Sequence, residues 1–389
     1  MSTAIYAGSF DPITIGHLSI IEQASVGFDK VIILIADNPE KPDAMFTFAE
    51  RKDMIERAVA HLPNVKVEVL KGGYTVHYAE RVGATTIVRG LRDEDEFKKE
   101  RDEFFTFNNY ENPQISTVFL MSPPSIAHIS SSFVKQNCYG ISGWLEVVDK
   151  YVPPATKDYL MLHYFRKIYK RHLGDLGPSH LLYQAYDNSY RHYHGIAHIV
   201  NMYDELRDFY RYEPDLDINS QQFKIIALAT LFHDYCIESD PMPSISSPSD
   251  KKTNPVEHFG HEAQQASVDE FMHNFAEFCG FGAISGKVKE LILATTHTSD
   301  KGHPEEAKPL IDADIAILGQ SPAVYGTYAL GVRKEYSHVS DADFVAGRIK
   351  FLKKFLARKH IFCTEFFRSK YEARARENLT RELSTLQNG

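Results

Sequence analysis

The run Lys30 to Ala36, KVIILIA, is apolar at every position after the first. A strand with one wet face alternates polar and apolar residues, so a strand with no polar position must be covered on both faces. That is the situation of a parallel strand between two layers of helix. Strand-like and helix-like runs alternate around it. Ala4 to Ala7, Val65 to Val69, Thr85 to Val88 and Thr117 to Leu120 read as strands. Gly16 to Ser25, Thr47 to Ala60, Thr75 to Val82 and a polar stretch from about Asp93 to Asn108 read as helices. Thr47 with Glu50 three residues on predicts a capping box. The pattern predicts a Rossmann-like, doubly wound α/β domain with a parallel sheet, whose ligands bind beyond the carboxyl ends of the strands.

After Pro153-Pro154 the strand-like runs thin out and amphipathic helical ones take over: Leu181 to Tyr190, Ile196 to Phe209, Gln221 to His233, His261 to Phe275, Val288 to His297 and Asp341 to Leu356. A chain of 389 residues exceeds a single core, and the change in character puts the boundary near residue 160. The expectation is an α/β domain over 1–160 and an all-α domain over 161–389. Ser239 to Pro255, rich in Pro, Ser, Asp and Lys, reads as a long loop. A net charge of −9 disfavours nonspecific binding to nucleic acid or anionic membrane. Four cysteines scattered without a CxxC pair fit a reducing compartment and argue against a thiolate zinc site. With no signal segment and no membrane-length apolar run, a cytoplasmic protein is expected.

Two constellations carry chemistry. The first is Gly8-Ser9-Phe10-Asp11-Pro12-Ile13-Thr14-Ile15-Gly16-His17, after the first strand. Its glycine and serine allow a tight turn, and the helix that follows presents N–H groups to an anion. His17 at the helix start can hold a phosphate or stabilise charge on a transferring phosphoryl group, or simply cap the helix. Lys41, Arg89-Gly90-Leu91-Arg92 and Ser130-Ser131-Ser132 fall near other strand ends. Cations and short hydroxyls there form a polyphosphate clamp, where positioning and charge neutralisation carry the reaction.

The second is Tyr193-His194-Gly195-Ile196-Ala197-His198, followed by His233-Asp234 and by Asp312 and Asp314 in the apolar LIDADIAILG. His194 and His198, at i and i+4, would share one helix face. A carboxylate in an apolar segment is costly unless paired, so a cation is the economical partner. Two imidazoles and two or more carboxylates suit Mn²⁺, Fe²⁺, Mg²⁺ or Zn²⁺ with a position open to water.

Through AGSFDPITIGH, NPEKPDAMFTFAER, YTVHYAERVGATTIVRGLR, FKKERDEFF and ISSSFVK, residues 1 to about 160 resemble bacterial phosphopantetheine adenylyltransferases of the HIGH-type nucleotidylyltransferase superfamily. The resemblance implies adenylyl transfer from Mg²⁺-ATP to 4'-phosphopantetheine, giving dephospho-CoA and pyrophosphate, in a homo-oligomer. It assigns transition-state stabilisation to His17 and the acceptor phosphate to Lys41 and Arg89. Ser9 and Phe10 would line the nucleotide pocket, and Arg92, Glu100, Ser130, Ser131 and Ser132 would contact ATP. Tyr74 and Thr75 stand where the family has smaller or aliphatic residues along the pantetheine arm. Ile126 replaces an aromatic residue and Lys98 an acidic one, so another phosphorylated acceptor such as nicotinamide mononucleotide is an alternative.

Residues 178 to 385 resemble the HD superfamily of metal-dependent phosphohydrolases, through RHYHGIAHI, ALATLFHDYCIE, HEAQQAS, ILATTHTSD, LIDADIAILG, YALGVRKEY and ARENL. The resemblance implies His198, His233, Asp234 and Asp314 as metal ligands, His194 as proton donor and Glu262 as the acid that orients water. His261 and His297 could complete a second metal site, and Arg333, Lys334 and Arg348 are candidate phosphate contacts. The substrate would be a phosphate or nucleotide; the alternative is a nucleotide-sensing regulatory module.

Overall fold

The computed structural model describes residues 2–36, 43–98, 101, 115–139, 143–174, 179–236, 265–269, 273, 282–295 and 303–388. The chain divides into two compact units, residues 1–162 and 163–389, with the division inside helix Pro154–Leu173.

In the first unit β1 (Thr3–Gly8), β2 (Lys30–Ala36), β3 (Val65–Leu70), β4 (Thr86–Leu91) and β5 (Ser116–Met121) form one sheet. Their order is β3-β2-β1-β4-β5 and every pair is parallel. β2 is buried from Val31 to Ile35, as its unbroken apolar run demands. Ile32 and Leu34 pack with Ile5 of β1 against Tyr78 and Ala79, while Ile33 and Ile35 necessarily face the other side. The helices are α1 (Ile15–Gly27), α2 (Phe48–Ala58), α3 (Thr75–Val82), α4 (Ser131–Asn137) and α5 (Trp144–Val148). The Thr47–Glu50 capping box forms as expected. Because the chain leaves β1 toward β2 and later crosses from β3 to β4, the crevice beyond β1 and β4 is the topological switch point.

Two boundaries differ from expectation. β4 does not stop at Val88 but continues through Leu91, pairing Arg89 and Gly90 with Phe119 and Leu120 of β5. Gly90 permits this because a Cβ there would lie 3.0 Å from the Ile20 side chain and 3.2 Å from the Tyr6 hydroxyl. Of the helix expected over 93–108, Asp93 lies in a bend, residues 94–98 and 101 are helical, and the rest lies outside the described residues.

The second unit is helical. After α6 (Pro154–Leu173) come α7 (Ser179–Tyr186), α8 (Ile196–Tyr212), α9 (Gln221–Phe232) and α10 (Ser285–Ala294). Then follow α11 (Lys308–Asp314), α12 (Pro322–Glu335), α13 (Asp341–Leu356) and α14 (Glu365–Asn388). α9 is buried continuously from Ile226 to Phe232, the condition of a core helix with apolar residues all round. α8 and α11 pack together, and this brings the end of α11 to the start of α8. The expected long loop at Ser239 to Pro255 falls outside the described residues; of the helix expected at His261 to Phe275, residues 265–269 and 273 are helical and the rest lies outside the described residues. Among the described residues no helix is long and apolar enough to cross a membrane.

Candidate functional site

At the end of β1 the chain turns sharply, with Phe10 in the left-handed region at φ 46°. The Phe10 ring is buried, packed edge-on against Tyr6 and His17 at centroid distances of 5.4 and 5.2 Å. A nucleotide at this turn would therefore meet the Phe10 backbone, not its ring. Five neighbours hold the turn. Arg51 Nη1 donates to the Ser9 carbonyl at 2.9 Å. Asp11 accepts from the backbone N–H groups of Met45 and Phe46, each at 2.9 Å, and forms an ion pair with Lys135 of α4. Ser131 Oγ donates to the Pro12 carbonyl at 2.8 Å. Asp11, Arg51 and Lys135 were not singled out by sequence reasoning, because each acts through a partner far along the chain.

His17 caps α1 and also points to chemistry. Its Nδ1 accepts from the Thr14 N–H at 3.1 Å and from Thr14 Oγ1 at 2.9 Å, in a capping box. A backbone N–H can only donate, so in the neutral ring the proton sits on Nε2. The cap thus prepares the ring to donate from Nε2. The two readings of this histidine, cap and phosphate donor, are compatible.

The other expected contacts that are described lie in or after β3, β4 and β5. Arg89 is the fourth residue of β4 and half-buried, and Arg92 lies just past the strand. Arg92 donates to Glu96 through Nε at 3.0 Å and Nη2 at 2.5 Å, while its N–H donates to the same carboxylate at 2.8 Å. Ser130 is the N-cap of α4 and accepts from the Phe133 N–H at 3.0 Å, and Ser132 is exposed. These serines follow β5 after an intervening stretch, 122–129, not directly. Tyr74 is 61% exposed and precedes α3. Lys41 and Glu100 lie outside the described residues.

In the second unit four groups from three elements converge. His198 lies in the first turn of α8, His233 and Asp234 end α9, and Asp314 ends α11. His198 Nε2 stands 3.3 Å from His233 Nε2, 3.2 Å from Asp314 Oδ1 and 3.5 Å from Asp234 Oδ2. His233 Nε2 is 3.1 Å from Asp234 Oδ2 and 3.7 Å from Asp314 Oδ1. Ligands about 2.0–2.2 Å from one cation stand roughly 2.8–3.6 Å apart in octahedral or tetrahedral arrangement, a range that holds every one of these separations except the 3.7 Å between His233 and Asp314. Two further observations agree. His233 Nδ1 donates to the Thr230 carbonyl at 3.0 Å, which turns Nε2 inward. Asp234 Oδ2 is buried without a hydrogen-bond partner. Burial works against charge on His233, yet Asp234 and Asp314 raise its imidazole well above the ordinary value. His233, His194 and His198 in turn hold the Asp234 carboxyl below the usual range, against the burial that would raise it.

His194 is not on the helix that carries His198. α8 begins at Ile196 with Gly195 at its N-cap, so the shared-face argument fails for this pair. The buried carboxylate of Glu335, at the end of α12, holds His194 instead. Its Oε2 meets His194 Nδ1 at 2.7 Å, and its Oε1 accepts from the N–H groups of Tyr193 and His194 at 2.7 and 2.9 Å. The His194 ring lies edge-on to His198 at 5.7 Å. Burial would lower its pKa, but Asp234 and Glu335 raise it. Glu335 lies within YALGVRKEY, where the cations, not the acid, drew notice.

Three further expectations need correction. Asp312 needs no cation: it accepts from the Cys363 N–H at 2.6 Å, the Thr364 N–H at 2.7 Å and Thr364 Oγ1 at 2.8 Å. Arg348 is buried, with Nε and Nη2 on Glu382 at 2.8 and 3.1 Å and Nη1 on the Tyr328 hydroxyl. Arg333 binds the carbonyls of Tyr336 and Val339 and the carboxylate of Asp341. Both guanidiniums are therefore engaged in structure, not offered to a phosphate. Glu262, His261 and His297 lie outside the described residues.

A cytidylyltransferase-like family model matches residues 5–137. Phosphopantetheine adenylyltransferases of Neisseria meningitidis serogroups A, B and C are each 44% identical over 158 residues, 41% of this chain and 91% of the relative. Among solved structures, Plasmodium falciparum nicotinic acid mononucleotide adenylyltransferase complexed with NaAD aligns over 42% of this chain and 95% of its own, with 18% identity and a TM-score of 0.32. The same enzyme complexed with APC aligns over 42% and 96%, with 18% identity and a TM-score of 0.31.

Proposed function

Since the chain belongs, through its first unit, to the phosphopantetheine adenylyltransferase family, we propose that this unit transfers adenylyl from ATP to 4'-phosphopantetheine. The acceptor's phosphate oxygen attacks the α-phosphorus of ATP, the bond to the β-phosphate oxygen breaks, and pyrophosphate leaves with the electron pair. The observation that carries this reading is the 44% identity across 91% of the relative's length. His17 donates from Nε2 to the α-phosphate as charge builds there, with its tautomer set by Thr14. Lys41 and Arg89 bind the acceptor phosphate. Arg92, Glu100 and the serines at 130–132 bind ATP, whose phosphates Mg²⁺ neutralises. No protein nucleophile is needed, because positioning and electrostatics carry the transfer. Incubating the protein with ATP and 4'-phosphopantetheine should yield dephospho-CoA and pyrophosphate. Pyrophosphate release with nicotinate or nicotinamide mononucleotide in its place would reassign the acceptor.

For the second unit, we propose a metal-dependent phosphohydrolase of the HD type. The observation that carries it is the convergence of two imidazole nitrogens and two carboxylates on one buried point. His198, His233, Asp234 and Asp314 would hold a divalent cation, which when bound polarises a phosphoryl oxygen. His194, whose protonated form Asp234 and Glu335 favour against its burial, gives its proton to the leaving oxygen, and Glu262 orients water. A panel of phosphomonoesters, phosphodiesters and nucleotides, assayed with Mn²⁺, Fe²⁺, Mg²⁺ or Zn²⁺, tests the proposal. Tight nucleotide binding without turnover under any metal would make this unit a sensor.

A further inference from the structure

Arg191 belongs to neither proposed reaction, yet it is 92% buried beside the cation site, at 8% exposure. Its guanidinium reaches across to the end of α9. Nη1 donates to the carbonyl of Asp234 at 2.6 Å and Nη2 to that of Tyr235 at 2.7 Å. The same Nη1 lies 3.3 Å from the carbonyl of His194. Asp234 and Tyr235 lie one and two residues past His233, the C-cap of α9, and a cation there opposes the negative end of the helix dipole. Arg191 does this for α9 while gripping the turn that leads into α8. The guanidinium rests over the ring of Tyr186 at 5.2 Å, and the Tyr186 hydroxyl donates to the Leu231 carbonyl at 2.9 Å. Gly195 lets these pieces close up, since a Cβ there would come within 3.1 Å of the Tyr186 carbonyl.

We infer that Arg191 is a positioning residue for the cation site: it fixes the turn bearing Asp234 against the segment bearing His194 and His198, and so sets the spacing of ligands that arrive on separate helices. This rests on the reading of that site as a metal site. His233 and Asp234 end α9 while His198 starts α8, and a planar fork holding carbonyls from both sides defines their separation. A lysine keeps the charge but lacks the fork, so it can satisfy a carbonyl without holding two segments in register.

The test uses the full-length chain stripped with chelator and titrated with Mn²⁺, free metal being followed by electron paramagnetic resonance. R191K should weaken Mn²⁺ binding about 10- to 100-fold, the usual effect of removing a group that orients metal ligands. Y186F removes the hydroxyl bond at the same helix end but leaves the guanidinium. It should lower the melting temperature of the chelated protein and leave Mn²⁺ affinity at the wild-type value. Should chelated R191K lose its helical ellipticity, R191Q is titrated under the same criterion. Wild-type affinity in the Arg191 variant overturns the inference and leaves the metal site standing, as does an equal loss in Y186F, which would make helix-end stability the cause. A wild-type chain that takes up no Mn²⁺ overturns the metal site and this inference with it.

Discussion

Asp312 and Asp314 sit two residues apart, and replacing each should fail in a different way. Asp312→Ala should destabilise the second unit and leave metal binding intact once the protein is folded. Its carboxylate is fully buried and accepts from two backbone N–H groups and one hydroxyl. The Thr364 hydroxyl can turn elsewhere, but the N–H groups of Cys363 and Thr364 cannot. Leaving a buried donor unsatisfied costs about 1–3 kcal/mol, and both residues are half-buried, which favours the lower part of the range. The sum is about 2–4 kcal/mol, or a fall in melting temperature of roughly 4–16 °C for a unit of this size. Asp314→Asn should do the reverse. A tightly bound divalent ion gains about 10–16 kcal/mol from its site, so one ligand of four accounts for about 2.5–4 kcal/mol, or two to three orders of magnitude in affinity. Melting of chelated protein is followed by helix ellipticity, because the single tryptophan, Trp144, lies in the first unit. Mn²⁺ titration supplies the second readout. An Asp312→Ala protein that melts like wild type but loses metal, or an Asp314→Asn protein that keeps it, would refute the assignment of the two carboxylates.

Replacing His17 by Gln keeps an acceptor for the Thr14 N–H, so the fold should hold while kcat of adenylyl transfer falls about a hundredfold or more; a wild-type kcat would remove His17 from the mechanism. Glu335→Gln deletes a negative charge that stabilises protonated His194, so the alkaline limb of the hydrolase pH–rate profile should move to lower pH, and an unmoved limb would show that His194 is not the titrating donor. His172 is buried and its pKa is lowered to about 4, chiefly by that burial and then by Arg171 and Lys224. Below about pH 6.5 the unfolded chain binds this proton and the native chain does not, so stability should fall by about 3 kcal/mol between pH 6.5 and 4 through this residue. In His172→Phe that part of the acid dependence of melting should vanish.

What could be read from the sequence was local. KVIILIA declares a doubly covered strand because every residue states the same requirement, and Thr47 with Glu50 declares a cap because both partners lie within one turn. The clustered residues His198, His233 and Asp234 were legible for a related reason: imidazoles and a carboxylate in apolar helices have few inexpensive explanations. What escaped was pairing at a distance. Glu335 stands 141 residues from His194, and the donors to Asp312 lie 51 and 52 residues beyond it. Nothing near any of these residues announces its partner.

The Asp312–Asp314 pair shows where the inference from burial to cation goes wrong. A carboxylate in an apolar segment demands compensation, but the demand does not specify its source. A cation can meet it, and so can backbone N–H groups at a chain turn. The sequence did contain a discriminating signal. On a helix, positions i and i+2 do not share a face, so two aspartates so spaced on α11 could not both address one ion. One had to look elsewhere. Asp314 faces the histidines of α8 and α9, and Asp312 therefore faces the turn at 363–364, where the start of α14 supplies unpaired N–H groups of the kind a carboxylate accepts from. The two acids in LIDADIAILG thus do different work: one holds the site's charge, and the other anchors the helix that presents it.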